Sequence, residues 1–520
     1  MRLHDTLDYA ARETPNAEFA VFRGRRMSYR EAVAAANRMA HALLTSGLAQ
    51  GERFAVLSKN SIESALLYYA GSKAGVVPVP LNYRLAPPEW SYIVRDAGAR
   101  VLFAQEALAS ALEPVRGELS DVKRFVALDG APTGYEPLAA FVAGHPDRAP
   151  ACEVTTDSDA YQMYTSGTTG RPKGAVLTHR AVTAQLHQAL LGFGARPGDR
   201  ALIVAPMYHA AAAITTFAAV QMGGTLWIQE DFVPAEVVKA LSEDRIAFAM
   251  LVPAMIQFCL VAVPDVAERR YDDLRLIIYG ASPISEQTLR RAIEVFGCDF
   301  LQGYGMTETT AAATYLFPAD HRRALAGEPH LLLSAGRPLL GTDVRIVDEN
   351  GRPVPNGTIG EVAVRGPQLM RGYWNLPGPS AEALRGGWMH TGDAGMIDDE
   401  GFLFIQDRVK DMIVSGGENV YPREVEDVLF QHAAVADVAV IGVPDEKWGE
   451  AVKAIVVRKP GEAVTAEALL DFCKGRLGGY KRPRSVDFVE ALPRNPSGKV
   501  LKKELREKYW AGHKRRVAGV

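Results

Sequence analysis

The sequence predicts an α/β protein with a large N-terminal domain and a small C-terminal domain. Three observations lead to this prediction: the length, the alternation of short apolar runs with amphipathic segments, and a change of texture after about residue 343. The chain has 520 residues, which is more than one hydrophobic core usually supports. We therefore expect a boundary between residues 1–409 and residues 410–520.

Short apolar runs alternate with segments of helical period along the first part of the chain. The runs Arg53–Ser58, Val101–Ala104 and Ala201–Val204 are expected strands, and Tyr29–Ser46 and Ile62–Gly75 are expected helices. Strands and helices in alternation are typical of an α/β fold.

Other runs predict strands that are covered on both faces. Leu274–Ser282 reads LRLIIYGAS without strict alternation, which favours two mostly parallel sheets. The apolar stretch Phe248–Pro264 contains Pro253 and Gln257 and falls short of the roughly 20 residues of a membrane span. We expect a buried strand followed by a helix there, and no transmembrane segment.

The residue pattern changes from Asp343 onward to short β-like segments separated by turn residues. Glu349–Gly351 and Asn356–Gly357 are expected turns, which indicates a β-rich subdomain. Beyond residue 409, helix Arg423–Gln431 and strand Val435–Val443 are expected to begin a small α+β unit.

Composition excludes several classes of protein. The chain is 48% hydrophobic and 23% charged with a formal net charge of −3, so no nucleic-acid partner is indicated. Its four cysteines form no CxxC pair, and the N-terminus lacks the apolar core of a secretion signal, so we expect a cytoplasmic protein. Residues 474–520 carry fourteen Lys and Arg against four Asp and Glu. We interpret this basic end as a solvated face, with contact at a membrane surface and a homodimer left open.

The most informative segment is the phosphate loop, residues 164–174, which reads YTSGTTGRPKG. Its glycines let backbone N–H groups converge on an anion, its hydroxyls add donors, and its lysine adds a full charge. The spacing is not that of a Walker A loop, because Gly174 stands where Ser or Thr would be required. The residues expected to hold phosphate are Thr165, Ser166, Gly167, Thr168, Thr169, Gly170 and Lys173.

This string resembles the phosphate loop of the adenylate-forming superfamily, which includes acyl-CoA synthetases, peptide-synthetase adenylation domains and firefly luciferase. Further signatures of that superfamily follow in order, so that the resemblance spans nearly the whole chain. They are Gly280-Ala281-Ser282, the GYGMTET string at 303–309, HTGD at 390–393, DRVK at 407–410, SGGEN at 415–419 and PRNPSGK at 493–499.

The resemblance implies that ATP and Mg²⁺ convert a carboxylic acid to an acyl adenylate, from which coenzyme A takes the acyl group. It implies that Tyr304 lies against adenine, that Thr307 meets phosphate and that Glu308 holds Mg²⁺. These roles suit an aromatic face, a hydroxyl donor and a hard oxygen ligand. The nucleotide-binding set that the resemblance implies also includes Gly280, Ala281, Ser282 and Gly305.

Three roles are implied for the C-terminal signatures. Asp393 and Arg408 are expected at the ribose, where a carboxylate accepts from two hydroxyls. Lys499 is expected between the substrate carboxylate and the nucleotide phosphate, where a cation stabilises developing charge. Lys410 is expected at a hinge, and the backbone of Gly416 and Gly417 along the pantetheine tunnel. The residues expected to act in catalysis are Thr165, Lys173, His209, Glu308 and Lys499.

The expected acyl pocket is apolar. His209 resembles a gate between this pocket and the thiol tunnel, and alanines follow it at 210–213 and again at 311–313. Further expected pocket positions are Met250, Gly280, Gly303 and Gly305. None of them carries a charge, which argues against an amino-acid substrate.

The residues of these motifs are most similar to those of bacterial fatty acyl-CoA synthetases. A ligase for hydroxycinnamate-type or benzoate-type acids, loading of a separate carrier protein, a luciferase-like oxygenase and a catalytically silent relative remain alternatives. Coenzyme A as acceptor is supported by Trp448, Tyr480 and Arg482, which match nucleotide-contacting positions of related ligases and offer aromatic faces and a guanidinium.

Overall fold

The computed structural model describes residues 1–165, 171–282, 284–408, 411–415, 418–445, 447–474, 476–494 and 500–511. The strands up to residue 338 are β1 Glu18–Phe22, β2 Arg25–Ser28, β3 Arg53–Leu57, β4 Val77–Pro80, β5 Val101–Ala104, β6 Arg124–Ala127, β7 Glu136–Pro137, β8 Asp159–Thr165, β9 Lys173–Thr178, β10 Arg200–Ile203, β11 Thr225–Ile228, β12 Ile246–Met250, β13 Leu276–Gly280, β14 Asp299–Tyr304, β15 Thr314–Leu316 and β16 Arg337–Pro338. The later strands are β17 Asp343–Val347, β18 Gly360–Arg365, β19 Gly372–Tyr373, β20 Met389–Ile397, β21 Leu403–Arg408, β22 Ile413–Ser415, β23 Glu418–Val420, β24 Val435–Asp445, β25 Gly449–Arg458 and β26 Ser485–Phe488.

Helices cover both faces of the parallel sheets and part of the C-terminal unit. They are α1 Leu3–Glu13, α2 Tyr29–Thr45, α3 Ile62–Ala74, α4 Pro87–Ala97, α5 Glu106–Arg116, α6 Leu138–Phe141, α7 His179–Phe193, α8 Ala210–Gln221, α9 Pro234–Glu243, α10 Pro253–Ala262, α11 Glu286–Phe296, α12 Pro318–Ala326, α13 Pro377–Ala383, α14 Pro422–Phe430, α15 Ala466–Phe472 and α16 Lys502–Trp510. Short 3-10 turns lie at Thr307–Thr309, Pro329–Leu333 and Arg385–Gly387.

Two sheets are mostly parallel, as predicted. One runs in the order β16-β15-β14-β13-β12-β10-β11-β1-β2, and the other in the order β4-β3-β5-β6-β7. In the first sheet the neighbours from β1 to β14 pair in parallel, while β2, β15 and β16 add antiparallel edges. The carboxyl ends of the central strands therefore lie along one edge, where ligands bind in open α/β sheets.

The predicted helices begin and end where the sequence supplies capping residues. Ser28 accepts from the backbone N–H of Glu31 at the start of α2, and the Glu31 carboxylate accepts from the Ser28 N–H at 2.7 Å. Ser61 caps α3 in the same way, and Gly75 ends that helix with φ of 70°. Such reciprocal caps satisfy N–H groups that the first turn leaves unpaired.

The stretch 248–264 forms a strand and a helix, but its helix is only half buried. β12 is buried throughout, whereas Phe258 and Val261 on α10 are 58% and 70% exposed. The expected buried strand and following helix are therefore both present, and one face of α10 stays largely exposed although the Phe232 ring lies 6.4 Å from the Phe258 ring. No helix in the described part of the chain has the length and apolar character that crossing a bilayer requires.

The β-rich part and the C-terminal unit follow the predicted order. β17, β18, β20 and β21 form an antiparallel sheet, and Gly351 and Gly357 take positive φ of 74° and 76° in the predicted turns. β23, β22, β25 and β24 form another sheet, with β26 parallel to β25 and α14 to α16 beside them. The predicted boundary at residues 409 and 410 lies outside the described residues.

Candidate active site

The flanks of the phosphate loop meet as a strand pair. β8 and β9 run antiparallel, and Thr165 lies directly opposite Lys173. A Cβ atom on Gly174 would lie 2.5 Å from Nε2 of Gln162, so a larger residue here would require the Gln162 side chain to shift. The structure therefore brings the predicted hydroxyl and the predicted cation together at the base of the loop.

Lys173 and Glu308 both contact Tyr373, a residue that the sequence analysis did not single out. The Tyr373 hydroxyl donates to Glu308 Oε1 at 2.8 Å. The Lys173 ammonium lies 5.1 Å from the centre of the Tyr373 ring, a distance at which cation and π face attract. The only sequence signal for Tyr373 is the Gly-aromatic pair in RGYWNLPG.

Glu308 lies on the 3-10 turn that follows β14, at the carboxyl edge of the sheet. It is 4% exposed, and Thr307 precedes it on the same turn with a partly exposed side chain. A carboxylate beside a hydroxyl suits Mg²⁺, which takes one or two carboxylates together with substrate phosphates. Within the described ranges, no cluster of three or more His, Cys, Asp or Glu residues is arranged to hold a metal by itself.

A second carboxylate is also oriented by a tyrosine. The Tyr304 hydroxyl donates to Asp393 Oδ2 at 2.8 Å, and the Asp393 N–H donates to the Thr391 hydroxyl at 3.1 Å. Asp393 is 7% exposed and lies opposite Arg408 where β20 pairs with β21. The predicted partners Tyr304, Asp393 and Arg408 are therefore neighbours, with Arg408 described here by its backbone alone.

Backbone strain concentrates beside these residues. Ala281, Thr310 and Ala311 have positive φ of 67°, 60° and 141°, a conformation that costs L-residues free energy and often marks functional sites. Gly280 pairs with Gly303, whose carbonyl oxygen would lie 2.2 Å from a Cβ at position 280. Gly280 is thus required by strand packing whatever ligand it meets.

The predicted gate His209 precedes α8. Its ring centre lies 4.3 Å from that of Tyr208, and its Nε2 and the Tyr208 hydroxyl are both buried without a hydrogen-bond partner among the described residues. Burial lowers the pKa of His209 from 6.5 to about 4, with a smaller contribution from Arg84. The imidazole is therefore neutral at physiological pH and does not serve as a fixed cation.

A small apolar cavity lies between β10, α8 and β12. The space amounts to about 150 Å³, partly open to solvent and too narrow to hold a water molecule, and its lining is Leu202, Ile203, Val204, Ala205, Ala212, Thr215 and Met250. Two positions predicted for the acyl pocket, Ala212 and Met250, are among them. The cavity has no charged group to recognise an amino group or a second carboxylate.

The predicted coenzyme A residues lie on turns of the C-terminal unit. The Arg484 guanidinium lies 5.3 Å and the Lys447 ammonium 4.9 Å from the Trp448 ring. Tyr480 is 39% exposed. Arg484, which the sequence analysis did not single out, also lies at this face, and its backbone N–H donates to Val452 O at 2.7 Å beside β25.

Several predicted positions lie outside the described residues. They are Ser166, Gly167, Thr168, Thr169, Gly170, Lys410, Gly416, Gly417 and Lys499. Ala281 and Ser282 follow β13 at the same sheet edge as Gly305. The described geometry therefore covers the flanks of the phosphate loop, the two carboxylates and the C-terminal aromatic face.

Comparison with known proteins identifies relatives over the full length. The family described as AMP-binding enzyme matches residues 7–374, and the AMP-binding enzyme C-terminal domain matches residues 424–499. The fatty acid–[acyl-carrier-protein] ligase ScoC of Streptomyces coeruleorubidus is 39% identical, covering 99% of this chain and 98% of its own. The long-chain-fatty-acid–CoA ligase FadD13 of Mycobacterium tuberculosis is 40% identical over 94% of each chain.

An aromatic-acid enzyme and a solved structure are also similar. Feruloyl-CoA synthase of an Amycolatopsis species is 36% identical, covering 96% of this chain and 97% of its own. The crystal structure of ATP-bound MatB from Rhodopseudomonas palustris superimposes with a TM-score of 0.89 at 30% identity, covering 99% of this chain and 100% of that one.

Proposed function

This chain belongs to the AMP-binding enzyme family and is an AMP-forming acid–thiol ligase, and on that premise we propose that it joins a medium- or long-chain fatty acid to coenzyme A. The observation that carries the proposal is the position of Lys173, Glu308 and Asp393 around the carboxyl end of β14. A cavity without charged lining lies in the same domain. A carboxylate, a nucleotide and an apolar acyl chain are the three groups that such a site accommodates.

In the first half-reaction a carboxylate oxygen attacks the α-phosphorus of ATP, and pyrophosphate leaves. Lys173 and the loop hydroxyls bind the departing phosphates, Asp393 and Arg408 hold the ribose, and Tyr304 lies against adenine. Lys499 screens the two anions as they approach. Mg²⁺ bound at Glu308 would supply neutralisation of phosphate charge. Positioning and electrostatic stabilisation are sufficient for this chemistry.

In the second half-reaction the coenzyme A sulfur attacks the carbonyl of the acyl adenylate, and AMP leaves. Trp448 with Arg484 and Tyr480 offers a face for the coenzyme A nucleotide. The neutral His209 can move aside without leaving a charge in the tunnel. We propose that residues 410–520 rotate about Lys410 between the steps, because Lys499 and the thiol need the same approach to the adenylate.

The acid class rests on the lining of the cavity and on the relatives. An uncharged aliphatic lining favours an apolar acyl group. The space is small for a ligand pocket, so a long chain requires lining side chains to move apart. FadD13 is named for long-chain fatty acids and feruloyl-CoA synthase for an aromatic acid, so an aromatic substrate is the second candidate.

A cytoplasmic location accords with this activity. All four cysteines are free thiols, as expected where thiols are kept reduced. We propose that the enzyme acts there on free acids and releases AMP.

The first experiment measures pyrophosphate and AMP release with ATP, Mg²⁺ and panels of fatty and aromatic acids, with and without coenzyme A. Acyl-CoA is identified by mass. Formation of fatty acyl-CoA supports the proposal, and aromatic acyl-CoA alone contradicts its substrate class. Adenylate without thioester contradicts coenzyme A as acceptor and indicates a carrier protein, as in the name of ScoC.

The role of Lys499 is tested by separating the half-reactions. Lys499→Ala is expected to lower adenylation by about a hundredfold or more, the effect typical of losing one preorganised charge contact. It should leave thioester formation from a synthetic acyl adenylate within about threefold of wild type. Equal loss of both steps would contradict an action confined to adenylation.

A further inference from the structure

We propose that Tyr373 is a positioning residue that orients the Glu308 carboxylate and separates it from the Lys173 ammonium, so that both charges remain directed at the metal–nucleotide complex. This inference rests on the proposed function of the site. It assigns a role to a residue that none of the sequence signatures includes.

Two ends of one side chain contact two opposite charges. The Tyr373 hydroxyl donates to Glu308 Oε1 at 2.8 Å, and the ring centre lies 5.1 Å from Nζ of Lys173. A carboxylate accepts from the hydroxyl, whereas an ammonium is attracted to the negative face of the ring. The carboxylate therefore contacts the hydroxyl of Tyr373, and the ammonium contacts its ring face.

The backbone of Tyr373 is tied to both partners. β19 pairs with β9, the strand that begins at Lys173, and Tyr373 lies opposite Ala175. The Trp374 N–H donates to Gly174 O at 2.7 Å, and the Met370 N–H donates to Glu308 O at 2.8 Å. The short segment 370–374 thus fixes the distance between the strand that carries Lys173 and the turn that carries Glu308.

A second set of contacts keeps this segment in place from outside. The Arg53 guanidinium stacks 3.4 Å from the centre of the Trp374 ring and pairs with Asp159 at 3.0 Å. Arg371 pairs with the same Asp159 at 2.5 Å. These contacts use Arg53, Asp159 and Arg371 rather than Glu308 or Lys173, so the segment is held without using the site's own charges.

The physical reason for a spacer is the tendency of unlike charges to pair. A direct Lys173–Glu308 ion pair would neutralise the ammonium and occupy a carboxylate oxygen, and both would then be poorer ligands for phosphate and metal. In the part of the chain that the structure describes, Lys173 pairs with no acidic side chain. The tyrosine ring provides attraction to Lys173 without the charge that would compete with phosphate.

The test compares Tyr373→Phe and Tyr373→Leu with wild type by calorimetric titration of α,β-methylene-ATP at a series of Mg²⁺ concentrations. Tyr373→Phe keeps the ring and loses the donor. It should raise the Mg²⁺ concentration for half-maximal binding about tenfold or more, as expected for one hydrogen bond to a charged group. Its affinity for metal-free nucleotide should stay within about twofold, because the Lys173 contact remains.

Tyr373→Leu removes both contacts, and we expect it to weaken metal-free binding as well, about fivefold or more, because Lys173 then pairs with Glu308. Tyr509→Phe is the matched control, since Tyr509 donates to the Asp487 carboxylate in the C-terminal unit. It should leave the Mg²⁺ dependence unchanged. Thermal unfolding of each variant measures any structural effect separately.

An unchanged Mg²⁺ dependence in Tyr373→Phe overturns the inference, and so does a lowered melting temperature without that shift. The pyrophosphate assay distinguishes the two proposals. If wild type binds the Mg²⁺–nucleotide complex with the expected dependence on Tyr373 but no acid releases pyrophosphate, the inference holds and the proposed function fails. If Mg²⁺ does not promote wild-type nucleotide binding, both fail.

Discussion

Residues 1–408 and residues 411–511 present their ligand-binding side chains in different ways. In the larger region the carboxylates Glu308 and Asp393 are buried, and each accepts from a tyrosine hydroxyl. In the smaller region Trp448 lies on a turn with two cations near its ring, and Tyr480 is 39% exposed. Under the proposed function, the larger region is preorganised for charge stabilisation during chemistry, whereas the smaller offers a face from which coenzyme A can dissociate.

Replacing the buried Glu308 carboxylate should cause the largest loss of activity among the changes that test this comparison. Glu308→Gln keeps the size and can still accept from Tyr373, but it loses the charge. We expect adenylation to fall about 10²- to 10³-fold, the size typical of one preorganised electrostatic contact. Thioester formation from synthetic acyl adenylate should change less than about threefold, as measured by single-turnover assays.

The exposed Glu349→Gln is the control for charge removal. A comparable loss in both half-reactions of Glu308→Gln would contradict a role specific to the nucleotide. It would also remove the distinction between the two regions, since Glu308 would then support the thiol step as well.

Acid should destabilise the larger region through its buried histidines. Burial lowers the pKa of His4 and His179 from 6.5 to about 4 and about 3, with smaller contributions from Arg2 and Lys73 to His4 and from His4 to His179. Unfolding lets both rings take up protons near pH 6.5, so stability is complete above that pH and falls as pH decreases towards 4. At pH 5 the loss is on the order of 2 kcal/mol per histidine.

Urea unfolding of the intact chain at pH 7.5 and pH 5 measures this loss. Both rings use Nδ1, His4 with Ser72 Oγ and His179 with the Leu3 N–H, so the double change His4→Asn and His179→Asn supplies a similar amide group. We expect it to make the pH dependence flatter. His187→Asn on an exposed face is the control, and an undiminished acid effect in the double variant would refute the histidine explanation.

Changes at the C-terminal aromatic face should affect the second substrate alone. Arg484→Ala removes a guanidinium that lies 5.3 Å from the Trp448 ring. We expect KM for coenzyme A to rise about fivefold, as for one exposed cation–π contact, with unchanged pyrophosphate exchange. Arg476→Ala is the matched control, since the Arg476 guanidinium lies 4.0 Å from the Phe472 ring. An equal rise of KM for coenzyme A in this control would show that the effect is structural only.

The smallest effect is expected at the second tyrosine–carboxylate pair. Tyr304→Phe keeps the ring for adenine and removes the bond to Asp393. KM for ATP should rise about threefold to fivefold, as for one lost hydrogen bond. The Mg²⁺ dependence of nucleotide binding should remain as in wild type, and a shift of that dependence would contradict separate roles for Tyr304 and Tyr373.

The fold was largely predictable because its signals are local. Val101–Ala104 forms β5 with the predicted bounds, and Tyr29–Ser46 and Ile62–Gly75 differ from α2 and α3 by one residue at the end. Hydrophobic period and capping residues act over a few positions, so they can be read without knowing the partners. The exposed face of α10 could not be predicted, because burial depends on what packs against a helix.

The candidate site was predictable where its residues belong to continuous strings. Lys173, Glu308 and Asp393 were singled out from such strings. In the structure Lys173 contacts the ring of Tyr373, Glu308 accepts from the hydroxyl of Tyr373, and Asp393 accepts from the hydroxyl of Tyr304. Tyr373 and Arg484 were missed because their partners are distant in the chain or belong to another element. Their sequence context alone is that of an ordinary strand end and an ordinary basic turn.

The sequence by itself determined the α/β class, the order of the elements and the ligase family, since these depend on local pattern and on continuous motifs. Only the tertiary structure decided which aromatic ring lies between Lys173 and Glu308, which guanidinium covers Trp448, and which histidines are buried with lowered pKa. The physical reason is that hydrogen bonds, cation–π contacts and desolvation act between neighbours in space. Residues 173, 308 and 373 become neighbours only when β9, β14 and β19 have assembled.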